Sequence, residues 1–192
     1  GISVPMTINS QAGEDEFIVF RNLAVLTLNG GDDNDKFLVQ AFALEGSVED
    51  ERKRTDLAGD AGADQIQYAV NAPVQINGGD GLDTVIVIGT EFNDDFVVTD
   101  EGVFGGGLNV NFVNIELLEV DGAEGDDRFF ILGTGENFVT RIVGSKGNDT
   151  FNVNGPTPEN GVISNDLLGH SGIIEHIIGS SDGDSLYQGL KA

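Results

Sequence analysis

The side chains with chemistry to offer are aspartates, and they recur at one place in a repeated pattern. The clearest copy is Gly78-Gly79-Asp80-Gly81-Leu82-Asp83, set between the apolar Ile76 and the strand-like Val85 and Val87. With Gly78 as first position, the sixth is aspartate in eight windows: Asp15, Asp35, Asp64, Asp83, Asp94, Asp127, Asp149 and Asp184. The first position is Gly30, Gly59, Gly78, Gly89, Gly122, Gly144 or Gly179, with Ser10 the exception. An apolar residue follows two places after every aspartate, as Phe37 follows Asp35 and Phe129 follows Asp127. A glycine-rich turn brings backbone carbonyls close together, and an aspartate adds a hard anionic oxygen. Such oxygens suit a hard divalent cation, and an irregular, flexible cage suits Ca²⁺ better than Mg²⁺. The candidate calcium ligands are Gly30, Asp32 and Asp35; Gly59 and Asp64; Gly78, Asp80 and Asp83; and Asp127 and Asp149. The metal-free alternative is that each aspartate caps its own turn by accepting backbone N–H bonds.

The spacing says what must hold these turns. Asp15 to Asp35 is twenty residues, Asp64 to Asp83 nineteen and Asp127 to Asp149 twenty-two. A unit of this length holds two short strands and two turns. Asn29-Gly30 and Asn77-Gly78 match two-residue hairpin turns, but the repeat runs on to an aspartate five residues past the glycine, which suits a corner better. The expected fold is therefore all-β: a single parallel β-solenoid over residues 1–192, built of stacked coils of about 20 residues. Equivalent side chains then lie above one another, and Phe37, Ile66, Val85, Phe129 and Phe151 are expected to form one internal column. Glycine at the corner is expected to supply backbone with positive φ.

Interruptions are visible. Asp35 to Asp64 is twenty-nine residues, and the mixed-charge run Glu49–Arg54 reads as the inserted solvated loop. Asp83 to Asp94 is only eleven, half a coil, which places Asp94 at the opposite corner. Gly105-Gly106-Gly107 marks a turn without an aspartate, and Gly155–Gly161 reads as a loop. The unit from Ile177 to Leu186 is degenerate and polar, as a terminal cap would be.

The 192 residues carry 33 acidic and 9 basic side chains, a formal net charge of −24. That argues against nucleic acid or an anionic membrane as partner and favours cations. A hydrophobic fraction of 39% with strand patterning marks a folded chain, not an acidic disordered tail. Without cysteine there is no disulfide or thiolate metal site. No apolar run approaches membrane-spanning length, and no stretch is expected to serve as a signal peptide. The chain opens at Gly1, which reads as a piece of something longer.

The segment Gly78-Gly79-Asp80-Gly81-Leu82-Asp83-Thr84-Val85 resembles the glycine-aspartate nonapeptide of RTX-type calcium-binding proteins. Gly30–Phe37 is similar but has Asp33 for a glycine, and in the window of Gly59 to Asp64 Asp60 replaces the second glycine. The unit from Gly89 to Leu132 looks like units of very large bacterial surface and secreted proteins. The resemblance implies a parallel β-roll or β-helix, secretion, folding on calcium outside the cell, and an adhesive or matrix role. It does not imply an enzyme. The departures are also plain: tandem motifs on both sides are missing, and Ser145 and Lys146 intrude on the window of Asp149.

Other constellations are weaker. His170 and His176, the only histidines, read as surface residues. The expected role is a structural repeat segment of a large extracellular or cell-surface bacterial protein, holding calcium at some turns. Its expected contacts are neighbouring repeats of the parent chain, and extracellular polysaccharide or a cell surface. The alternative is a polysaccharide-binding or polysaccharide-cleaving β-helix, in which carboxylates act in pairs. The lack of Trp and the inward register of most Phe residues speak against it.

Overall fold

A computed structural model describes residues 4–21, 24–40, 55–69, 73–105, 108–153, 173–178 and 185–188. Among these there are seventeen strands and no helix, hence none long and apolar enough to cross a membrane. In chain order they are β1 (Met6–Ala12), β2 (Glu16–Val19), β3 (Leu26–Asp32), β4 (Lys36–Val39), β5 (Thr55–Gly62) and β6 (Gln65–Ala69). Next come β7 (Pro73–Gly81), β8 (Thr84–Ile88), β9 (Asp95–Val98), β10 (Gly102–Gly105), β11 (Leu108–Val113) and β12 (Leu117–Asp121). The last are β13 (Arg128–Ile131), β14 (Val139–Val143), β15 (Thr150–Val153), β16 (Ile173–Ile178) and β17 (Ser185–Gln188).

Two mostly parallel sheets result. One has ten strands in the order β1-β3-β5-β7-β11-β10-β9-β13-β15-β17, the other seven in the order β16-β14-β12-β8-β6-β4-β2. Up to β8, consecutive strands alternate between the sheets, so each strand pairs with one a repeat away. Leu28 lies beside Leu57, and Leu57 beside Ile76. Parallel strands need a crossover, and here the crossover is a strand of the other sheet. Side chains alternate in burial along β3, β5, β6 and β8, the two-residue period of a strand with one buried face. One apolar cluster draws on both sheets, including Leu28, Ile76, Tyr68, Val85, Phe96 and Phe129.

The single expected column is two columns. Phe17, Phe37, Ile66, Val85 and Leu118 are in register along the seven-stranded sheet. Phe96, Phe129 and Phe151 are in register along the ten-stranded sheet. The cause lies between Asp83 and Asp127. After β8 the chain makes three successive strands, β9, β10 and β11, in the ten-stranded sheet before returning through β12. From β8 onward each aspartate window therefore follows a strand of the seven-stranded sheet. Asp94 does turn the opposite corner, and Asp127 and Asp149 turn it too. The same detour breaks the expected all-parallel order, since β10 is antiparallel to both neighbours. Thr99 shapes one of its turns: its Oγ1 donates to the Gly102 carbonyl at 3.1 Å and accepts the N–H of Gly102 at 3.1 Å.

Within the columns the rings stack face to face. Phe17 and Phe37 have centroids 4.7 Å apart, Phe96 and Phe129 4.9 Å, and Phe129 and Phe151 5.1 Å. The Glu49–Arg54 run, the Gly155–Gly161 loop, His170, Gly179 and Asp184 lie outside the described residues, as do the side chains of His176 and Leu186.

Candidate functional site

The site is built at the corners. At the first corner, strands of the ten-stranded sheet hand over to the seven-stranded sheet, and Asp35, Asp64 and Asp83 are buried there. Each turns its carboxylate into the interior and accepts a backbone N–H from the layer before. Asp15 N donates to Asp35 Oδ1 at 2.8 Å, Asp35 N to Asp64 Oδ1 at 2.7 Å, and Asp64 N to Asp83 Oδ1 at 2.9 Å. Asp83 N in turn donates to Glu116 Oε2 at 2.7 Å. The opposite corner repeats the arrangement: Asp94 N donates to Asp127 Oδ1, and Asp127 N to Asp149 Oδ1, both at 2.8 Å. Asp35, Asp64, Asp83, Asp127 and Asp149 thus tie one layer to the next, whereas Asp94 caps its own turn, its Oδ2 accepting the N–H of Thr90 at 2.7 Å and the Thr90 hydroxyl at 2.9 Å.

The second oxygen differs. In Asp35, Asp64, Asp83 and Asp127, Oδ2 is buried and receives no hydrogen bond. It lies against the first glycine of its own window. A Cβ on Gly30 would stand 2.1 Å from Asp35 Oδ2 and 2.9 Å from the Gly59 carbonyl oxygen. A Cβ on Gly59 would stand 2.1 Å from Asp64 Oδ2 and 2.4 Å from the Gly78 carbonyl oxygen. Gly78 and Gly122 have the same surroundings, while at Gly89 the Phe96 ring comes nearest, at 2.6 Å, ahead of the Gly122 carbonyl oxygen and Asp94 Oδ2. Glycine at this position is a matter of space, not of positive φ. Positive φ falls on the second and fourth turn positions instead. At the second, Gln11, Asp60, Ala123 and Ser145 adopt it as well as Gly31 and Gly79. At the fourth it is carried by Gly13, Gly62, Gly81, Gly125 and Gly147, with Asp33 the non-glycine case, so corner glycines do supply the expected positive φ there.

A buried carboxylate with one unbonded oxygen resists ionisation. Burial pushes Asp64 up to about 6, the bond from the Asp35 amide pulls the other way, and Asp83, Asp35 and Asp60 add repulsion. Burial pushes Asp127 up to about 7, against the Asp94 amide, with Asp149, Asp94 and Asp126 adding. Asp35 and Asp83 are raised for the same first reason, burial; Asp15 adds for Asp35 and Glu116 for Asp83. The described ion pairs, Arg128–Asp95, Arg141–Glu119 and Lys146–Glu124, all join acids outside these columns.

The ten candidate ligands therefore divide. Gly30, Asp35, Gly59, Asp64, Gly78 and Asp83 come together in the first corner, and Asp127 and Asp149 in the second. Asp32 and Asp80 are exposed and stand two layers apart, with Ala61 between them in register. Glu116 is the member that alignment on aspartate misses. Its spacing to the buried Leu118 equals that of Asp83 to Val85, which is the signal that identifies it.

Among the described residues no three acidic or histidine side chains converge on a point. The donors that do recur are one orphaned carboxylate oxygen and the next layer's backbone carbonyl, gathered where a Cβ would otherwise be. Both are hard oxygens, so they fit a calcium-type ion in kind. Comparison with protein-family models, with curated proteins and with solved structures finds no match.

Proposed function

We propose that this chain is a parallel β-solenoid serving as a structural repeat segment of a large extracellular or cell-surface protein, with an adhesive or matrix role. Its glycine-aspartate corners take calcium. The observation that carries the reading is the repeated orphaned Oδ2, at Asp35, Asp64, Asp83 and Asp127, seated against a glycine whose missing Cβ makes room for that oxygen beside the next layer's carbonyl. The return of each strand to a partner about one repeat away supports the stacked architecture, and the likeness of Gly78–Val85 to the RTX nonapeptide supports the choice of ion. When bound, calcium would supply positive charge to Asp35, Asp64, Asp83 and Asp127, none of which joins an ion pair among the described residues. At one corner each layer would offer its own pair of oxygens, Asp35 with the Gly59 carbonyl, Asp64 with that of Gly78 and Asp83 with that of Asn114, and at the other corner Asp127 and Asp149 would contribute. What the chain itself contributes is rigidity: every layer is fixed to the next through backbone ladders and a side-chain rung.

The test is thermal melting of wild type and Asp83→Asn in EDTA, in calcium, and in magnesium at matched ionic strength. Selective stabilisation by calcium, reduced in Asp83→Asn, is expected. Equal stabilisation by magnesium would reduce the effect to charge screening.

One observation favours the polysaccharide reading. A groove of about 700 Å³ beside β11 is lined by Asp100, Glu101, Glu136 and Asn137 together with Phe112 and Phe138. Loss of oligosaccharide binding in Glu136→Gln, with the melting point unchanged, is the result that reading requires.

A further inference from the structure

Along β9 the alternation of burial fails. Phe96 and Val98 point into the core, so Val97 between them faces outward, yet it is only 1% exposed. Its cover comes from its neighbours in the sheet. Phe104 of β10 and Phe130 of β13 both stand in register with Val97, and both are half-buried. Phe104 lies along its own strand: a Cβ on Gly102 would stand 2.8 Å from its Cζ and 3.1 Å from its Cε2. The glycine two residues back thus lets the ring settle against the sheet. On β3 and β7 of the same sheet the outward positions are polar, namely Thr27 and Asn29, and Gln75 and Asn77. The apolar patch is therefore a product of the detour, which brings β10 in beside β9. Its rim is polar and carries no net charge. Asp95 holds Arg128 through two bonds, at 2.6 and 2.5 Å. Thr150 stands in register with Arg128, and Asn152 with Phe130. A cleft of about 230 Å³ opens among Arg128, Phe130, Thr150 and Asn152.

We propose that this outer face, across β10, β9, β13 and β15, binds a neutral glycan chain. A pyranose unit has an apolar face of C–H groups, which lies on an aromatic ring, and hydroxyls at its edge, which donate and accept. The patch has the matching parts: two rings over an apolar floor, with a few polar groups at one side. Phe104 and Phe130 are two strand spacings apart, about 10 Å, so a chain laid across the strands touches both. Its hydroxyls then meet the Asn152 amide, the Thr150 hydroxyl and the Arg128–Asp95 pair. Other occupants fit less well. Three apolar side chains are far too few for the roughly 1,200–2,000 Å² that a stable protein interface buries. An anionic polysaccharide would meet the field of a chain of charge −24. Among the described residues the cleft's one basic side chain, Arg128, is already neutralised by Asp95. As a biological role this rests on the adhesive reading above, whose ligand it names. The binding itself uses neither the calcium corners nor the groove beside β11.

Native gel electrophoresis of the full chain through laminarin, dextran or galactomannan tests this, with hyaluronan as the anionic control. At least one of the three neutral polymers should retard wild type, equally in calcium and in EDTA below the melting temperature, and hyaluronan should not. Phe104→Ala and Phe130→Ala should each weaken the binding by about tenfold, since each removes one stacking surface. Glu136→Gln, in the groove beside β11, should leave it unchanged. Circular dichroism checks that the variants keep their strands. Phe130→Leu, which keeps apolar cover over Val97 but removes the flat ring, serves if an alanine variant does not. Retardation by none of the neutral polymers, equal retardation by hyaluronan, or phenylalanine variants that bind like wild type would each overturn the proposal. Loss confined to Glu136→Gln would place the glycan in the groove and overturn it too. A melting temperature indifferent to calcium would leave the gel result standing, so the two readings fail separately.

Discussion

The buried carboxylates make the molecule sensitive to pH in a defined direction. Asp64 and Asp127 sit at about 6 and 7 when folded, above the ordinary value of 3.8. A group raised on folding adds stability that is fully present below its unfolded value and is lost as pH rises through the folded one. Without calcium, the melting temperature should therefore fall between pH 5 and pH 8. Overall repulsion from the charge of −24 relaxes toward acid too, so the informative quantity is the difference between wild type and Asp127→Asn. The amide cannot ionise, and the variant should show a visibly flatter pH profile by scanning calorimetry; an identical slope would mean that Asp127 does not titrate in this range. The glycine partner gives a second prediction. In Gly59→Ala the new Cβ meets Asp64 Oδ2 at 2.1 Å and the backbone oxygen of Gly78 at 2.4 Å. Overpacking costs about 1–3 kcal/mol, and a backbone contact puts this variant at the upper end in urea unfolding. A neutral result would show that the corner yields more readily than its geometry implies.

At the scale of strands, the stacked rings should differ in worth by position. Phe129 is fully buried with a ring on each side, while Phe17, on the last described strand of its sheet, has one stacking neighbour and is 9% exposed. Phe129→Ala should cost roughly 3–5 kcal/mol, as complete loss of a core ring does, and Phe17→Ala distinctly less; equal losses in denaturant titration would contradict the two-column register. The strand pattern, the buried ring positions and the repeat length were legible in the sequence because a two-residue period and a twenty-residue unit leave direct marks. The switch of corner at Asp94 was legible too, from the eleven-residue gap. That Asp127 and Asp149 stay on that side was not, because it depends on three strands, β9 to β11, falling in one sheet. Gly105-Gly106-Gly107 announces a turn but not the antiparallel direction of β10. Nor did composition reveal the second turn position, where Gln11, Asp60, Ala123 and Ser145 take left-handed backbone with no glycine to advertise it. The aspartates were found by spacing alone. Their inward orientation, and the rungs they form between layers, depend on stacking that no single window contains.

For the whole molecule the question is how so acidic a chain closes over unpaired carboxylates. Two species can satisfy the orphaned Oδ2 atoms, a proton or a cation, and they compete for the same oxygens. Calcium at a hundred times its Kd would add about 2.7 kcal/mol, which for a chain of this size is a rise of roughly 5–11 °C in melting temperature. The gain must depend on pH, because a protonated carboxyl offers calcium no charge. The most direct measurement is therefore the melting temperature with millimolar calcium and with EDTA, at pH 5 and at pH 8, with magnesium at matched ionic strength as control. A calcium gain of several degrees at pH 8 is expected, one that shrinks at pH 5 and that magnesium does not reproduce. A gain equal at the two pH values, or one matched by magnesium, would contradict it.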